Sequence, residues 1–222
     1  DWNNPEHKSN PYANRDPRLA MSILTNNVEF KDRTIEAWTG GRDGKGVIHA
    51  TRTGYYIYKF IDPNLDLLQN RTSVHHWVIM RYAEILLSYA EAMNEAYGPT
   101  GNVGYRLNAV RALNQVRNRV GVEMPAVPTA ISKEELREKI RNERRVELAF
   151  EDHRFWDVRR WMIAPETLGT PLRGVEITKI SDEEFEYKPI EVEKRTFEPK
   201  MYLYPIPQAD LNTTGWVQNP LW

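Results

Sequence analysis

The apolar positions of this chain recur at helical spacing through its middle and cluster in short runs toward its ends. Between Trp77 and Tyr97, the residues Val78, Tyr82, Ile85, Leu86, Tyr89, Met93 and Ala96 fall three and four apart and form one stripe. Gly98-Pro99 stops that helix, the glycine as a cap and the proline as a breaker. A second stripe of Leu107, Val110, Leu113 and Val116 predicts a helix over about 104–120, ending at Gly121. The short connection predicts that the two helices pack as an antiparallel hairpin. A third helix is predicted to begin at Ser132, which forms a capping box with Glu135. It runs to at least Ala149 and, with a break, to Trp161.

Elsewhere the pattern is strand-like or irregular. Residues 1–20 hold three prolines among asparagines and read as irregular. Phe30, Ile35 and Trp38 carry weak strand signals ahead of the glycine-rich stretch Gly40–Gly46. Tyr55–Phe60 is aromatic and short, as a strand would be. After Pro165, the segments Val175–Ile180, Phe185–Pro189 and Met201–Tyr204 are predicted strands. Pro205, Pro207 and Pro220 predict an extended, surface-lying tail.

One helical face breaks the rule. Leu136 and Ile140 place a face inward, and Arg144, Glu147, Glu151 and Arg154 continue it before Val158 restores it. All lie within an arc of roughly 80° on an ideal helix. Each Glu stands three residues from an Arg, which would hold its pKa down and deprive a glycosidase of its proton donor. The preferred reading is a structural ion-pair ladder.

Composition narrows the function classes. Lys and Arg total 30 against 31 for Asp and Glu, a net charge of −1. That balance argues against nucleic acid or an anionic membrane as the main partner. There is no cysteine, so disulfides, thiolate metal sites and cysteine nucleophiles are excluded. No apolar run approaches the length of a membrane span, and no signal peptide stands at residue 1. Gly40–Gly46 lacks the spacing of a phosphate loop and reads as a flexible surface loop. His75-His76 point to different sides of any element and are not read as metal ligands. Asn70-Arg71-Thr72 and Asn212-Thr213-Thr214 match the glycosylation sequon. Tyr82, Ile85 and Tyr89 match the bulky positions of a tetratricopeptide repeat, as a single degenerate unit. Such a unit needs neighbours to cover its faces.

Four phrases, in order, resemble the SusD/RagB family of outer-membrane nutrient-binding lipoproteins. They are Asn10–Leu19 (NPYANRDPRL), Arg81–Ala92 (RYAEILLSYAEA), Glu143–Glu151 with Arg154–Trp161 (ERRVELAFE and RFWDVRRW), and Leu203–Pro207 with Asn219-Pro220. The resemblance implies a mainly α fold: a tetratricopeptide-like hairpin, further helices, long irregular loops and a few short strands. It implies that residues 1–222 are the C-terminal portion of a larger protein whose lipid anchor and N-terminal half lie outside this sequence. It further implies a non-enzymatic role at the cell surface, capturing an oligosaccharide or polysaccharide for a SusC-like TonB-dependent transporter.

The leading functional reading is therefore glycan capture by aromatic stacking and hydrogen bonding, which needs no metal or cofactor. Seven Trp and eleven Tyr supply stacking faces. Trp38 and Arg42, at the glycine loop, are the first candidate ligand contacts, with Trp2 and Asn3 next. A helical-repeat protein-interaction module is the alternative. A glycoside hydrolase using Glu147 or Glu151 ranks last. The hairpin and the 144–154 face are also expected to seek cover from outside the chain, leaving exposed apolar surface.

Overall fold

The computed structural model describes residues 2–222. The chain opens with two five-residue helices, α1 (Pro5–Ser9) and α2 (Arg18–Ser22), where an irregular segment was expected. The Asn4 side chain caps α1 by accepting from the Glu6 amide at 2.9 Å. Four two-residue strands follow: β1 (Ile23–Leu24), β2 (Glu29–Phe30), β3 (Arg33–Thr34) and β4 (Tyr56–Ile57). β1 pairs antiparallel with β4, and β2 with β3.

The central helices are α3 (Tyr82–Tyr97), α4 (Ala109–Arg117) and α5 (Lys133–Glu147). They pack on one another, as the predicted hairpin requires, around Leu87, Val110, Leu113, Val116, Leu136 and Ile140. The Ser132–Glu135 capping box forms as expected. Asn94, fully buried on α3, donates to the Lys133 carbonyl at 2.9 Å and fixes the start of α5 against α3.

Two expectations about α3 fail. The helix begins at Tyr82, because residues 77–81 are not helical and Arg81 is extended (φ −144°, ψ 160°). Its buried face is Leu86, Leu87, Ala90, Met93 and Asn94, while Tyr82 and Ile85 face solvent. An exposed apolar strip results, with Trp77 76% and Ile79 85% exposed beside Val78 and Met80. The strip lies in the segment before α3; on the hairpin itself, the exposed apolar residues at the start of α3 are Tyr82 and Ile85. The chain is expected to enhance the fluorescence of a hydrophobic dye, and Trp77→Asp with Ile79→Asp to reduce it.

Beyond α5 the backbone turns sharply. Phe150 and Asp152 adopt left-handed φ of 64° and 62° before α6 (His153–Arg160) and α7 (Ala164–Thr167). The hairpin of β5 (Leu172–Lys179) and β6 (Phe185–Glu193) carries a second core of Leu24, Ile35, Ala37, Val175, Ile177, Phe185 and Tyr187. Loop 51–54 lies against β5, with the Val175 amide donating to the Thr53 carbonyl at 2.8 Å. That approach needs glycine: a Cβ on Gly174 would lie 2.7 Å from the Thr53 backbone.

The end of the chain corrects the sequence reading. Met201–Tyr204 is not a strand; a 3₁₀ turn covers Pro199–Tyr202. The tail is not wholly extended, since α8 (Gln208–Thr214) follows Pro207. Proline sets φ for an entry turn as readily as it breaks a helix.

Candidate functional site

The charged face of α5 is a buried ion cluster, but its partners differ from those of the expected ladder. Arg144 and Glu147 share the buried face of α5, but the helix breaks after Glu147, so Glu151 and Arg154 do not continue that face. Arg144 instead pairs with Asp157 at 3.0 Å and donates to the Ser88 hydroxyl at 3.0 Å. Glu147, whose side chain is fully buried, accepts from Arg18 at 2.8 Å, Arg81 at 2.7 Å and Arg119. Glu143 is held by Arg18 and Arg117, both at 2.6 Å. Glu151 is held by Lys59 at 2.6 Å and Arg81 at 2.7 Å. Arg18 also grips Asp16 at 2.6 Å.

The cluster closes within this chain. It joins α2, the residue pair after β4, the start of α3 and the end of α4 to α5, and so locks the strand unit onto the helical unit. Burial alone would raise the Glu147 carboxyl. Hydrogen bonds from Arg119, Arg81 and Arg18 outweigh it and hold the group at about 2. Burial likewise opposes Glu151, and Arg81 and Lys59 bring it below the usual carboxylate range. Neither carboxyl has the raised pKa of a proton donor.

Trp38 and Arg42 lie on a loop that is bonded at its base, not loose along its length. Arg33 clamps Asp43 at 2.6 and 2.7 Å, and the Tyr56 hydroxyl donates to the Asp43 carbonyl at 2.8 Å. Trp38 is half-buried against Phe185, with ring centroids 5.4 Å apart, and the Lys179 ammonium sits 5.0 Å from its ring. Arg42 is exposed and pairs with Glu36 at 2.9 Å.

Trp2 is half-buried and lines a cavity of about 430 Å³, while Asn3 is exposed beside it. Tyr12, Tyr55, Arg15 and Arg145 complete the working walls of this cavity. Tyr12 meets Tyr55 and Tyr187 edge-to-face, at 6.3 and 5.5 Å between centroids. Its hydroxyl is buried against that of Tyr55 without a well-aligned hydrogen bond. Burial raises the Tyr55 hydroxyl above its usual pKa, while Tyr12 and then Arg15 oppose the rise. The rings of Trp38, Phe185, Tyr187, Tyr12 and Tyr55 thus form one aromatic run, so Trp2 and Trp38 share a hydrophobic cluster but not a cavity, and Arg42 and Asn3 lie outside the cluster.

Sequence reasoning did not single out Tyr12, Arg15, Tyr55 or Arg145 as site residues. It also missed a second cleft of about 320 Å³ between Phe60, Trp77, Phe150 and Trp156. His75 and His76 line that cleft. Among the described residues, no group of His, Asp and Glu is arranged to hold a metal ion. Among the described residues, no helix is long and apolar enough to cross a membrane.

Comparison with known proteins agrees with this architecture. The SusD family model matches residues 3–222, so the chain belongs to the SusD family. Two SusD-like proteins of Formosa agariphila, P2 and P38, are 34% and 35% identical over 120 and 104 residues. Those matches cover 52% and 44% of this chain but 22% and 19% of the relatives. A solved SusD-like protein from Bacteroides fragilis superposes with a TM-score of 0.76 at 33% identity, covering 95% of this chain and 40% of its own. A second from the same species, described as a SusD-like carbohydrate binding protein, gives 0.73 at 30% identity, covering 96% of this chain and 43% of its own. The chain therefore spans less than half the length of these solved relatives.

Proposed function

We propose that this chain forms part of a carbohydrate-capturing protein of the outer cell surface, non-enzymatic and free of metal or cofactor. It would be held there by a lipid anchor elsewhere in the protein and would pass its oligosaccharide to a SusC-like TonB-dependent transporter. Family membership and the carbohydrate-binding relative support the class. The observation that carries the reading is the cavity at Trp2, Tyr12 and Tyr55, where aromatic walls meet guanidinium donors. Flat apolar rings with a few convergent donors are what a sugar needs, because its C–H faces are apolar and its rim is all hydroxyl.

Trp2 and Asn3 are proposed as the first contacts. Trp38 and Arg42 are proposed as a second, weaker contact, because Lys179 and Phe185 already flank the indole. Trp38→Ala is expected to cost about 2 kcal/mol of stability through lost packing, with at most a few-fold loss of affinity. Parallel urea melts and binding titrations check the split. A large loss of affinity with unchanged stability would make Trp38 a primary contact.

Affinity electrophoresis through gels cast with a panel of polysaccharides tests the class directly. Retardation by at least one is expected. Retardation by none would favour the protein-interaction reading, for which the strip at Trp77–Met80 is the specific observation.

A further inference from the structure

The cavity has a charge character that the chain as a whole lacks. The chain's net charge is −1. Yet among the described residues the charged side chains of the cavity walls are Arg15 and Arg145, with no Asp or Glu. Neighbouring arginines are spoken for. Arg18 is taken by Asp16, Glu143 and Glu147, Arg144 by Asp157, and Arg141 by Glu138 at 3.1 Å. Asp16, next to Arg15 in sequence, is thereby unavailable to it. Arg15 donates to the Pro11 carbonyl at 3.2 Å, and among the described residues neither it nor Arg145 pairs with a carboxylate.

We propose that this cavity selects an acidic carbohydrate, a sugar carrying a carboxylate or a sulfate ester, whose anionic group lies between Arg15 and Arg145 while its ring lies on Trp2 and Tyr55. The inference rests on the glycan-binding reading and deepens it. A guanidinium presents parallel N–H donors that match two oxygens of a carboxylate or sulfate, and it is weakly hydrated enough to give up water for them. Two guanidiniums with no acidic partner among the described residues make the cavity a poor site for a cation. The aromatic walls lower the local polarity and strengthen the attraction. A ligand of this class brings its own negative charge to a cavity whose described walls supply none.

The test is calorimetric titration of the full chain with four probes: oligogalacturonates, their carboxyl-reduced forms, carrageenan oligosaccharides and their desulfated forms. Binding of one charged probe is expected, with its neutral counterpart at least tenfold weaker and the affinity falling as sodium chloride rises. Which charged probe binds distinguishes carboxylate from sulfate. Arg145→Ala is expected to remove most of the preference and Arg145→Lys to restore part of it; circular dichroism confirms that both fold. Arg15→Ala is expected to act in the same direction. If the neutral counterparts bind as tightly as the charged probes, the preference for acid is wrong and glycan capture stands. If no member of this set or of the wider polysaccharide panel binds, glycan capture itself falls, and the acidic preference with it.

Discussion

Glu147→Ala is expected to destabilise the chain by about 3–5 kcal/mol, because it leaves Arg119 beside a buried space without its carboxylate and takes one partner each from Arg18 and Arg81. The Glu147 side chain is fully buried, and Arg18, Arg81 and Arg119 all donate to it. The cluster is not a general source of stability, since desolvating so many ions offsets much of their attraction. Its asymmetry is what matters: complete, it fixes five segments in one arrangement; missing one carboxylate, it leaves excess positive charge. The same group sets an acid limit. Its pKa of about 2 lies below the ordinary 4.5, so folding favours the ionised form. The stabilisation, about 3 kcal/mol, is fully present above pH 4.5 and is lost as pH falls toward 2. Urea melts at pH 7 and pH 3 check both statements. Glu147→Ala should melt at lower urea at pH 7, and the gap to the unmodified chain should narrow at pH 3. An equal gap at both values would remove Glu147 as a titrating contributor.

The second large effect concerns the ligand. Trp2→Ala is expected to weaken oligosaccharide binding about tenfold. Covering roughly 60 Å² of indole face at ~25 cal/mol per Å² gives about 1.5 kcal/mol, which is one decade in affinity. Asn3→Ala, removing at most a hydrogen bond at the exposed rim, should cost a few-fold. Thermal melting should change little for exposed Asn3→Ala, while Trp2, half-buried on the second core like Trp38, should lose no more than the ~2 kcal/mol expected of Trp38→Ala. Loss of binding together with a collapsed melting temperature would instead make Trp2 a packing residue.

The helical part of the fold was legible because its signals are local. The Ser132–Glu135 box, the Gly98 stop and the Val110–Val116 part of the second stripe each act within a few residues and appear in the structure, although that helix spans only Ala109–Arg117 and leaves Leu107 and Gly121 outside it. The errors arose where distant residues decide. Trp77–Met80 has helical spacing, but Arg81 is drawn to Glu147 and Glu151 and the chain enters α3 extended. The face at 144–154 was correctly read as ionic and structural, yet its partners lie up to 129 residues away. No periodicity reveals them. The family phrases did hold a signal: Arg18, Arg81 and Glu147 each fall within one of them, and the structure brings those phrases to a single point.

The candidate site was only partly legible for the same reason. Trp2 and Asn3 were named after Trp38 and Arg42, with no local pattern to place them. The cavity, however, gathers residues from position 2 to position 145. Tyr12 stood inside a recognised phrase and Tyr55 inside an aromatic run, but nothing in the linear order sets Arg145 beside them. Trp38 was chosen for its place at the mouth of a glycine loop. The structure shows what that position also implies, since a Cβ on Gly41 would approach its indole to 3.0 Å and the loop folds directly onto the ring.

The most direct test of the account is a crystal structure of this chain with a bound oligosaccharide, chosen from whichever polysaccharide retards it in the gel. The expected result is a sugar ring against Trp2 and Tyr55, with its polar groups within hydrogen-bonding distance of Arg15 and Arg145. A sugar seated instead between Trp77 and Trp156, with the first cavity empty, would contradict the assignment.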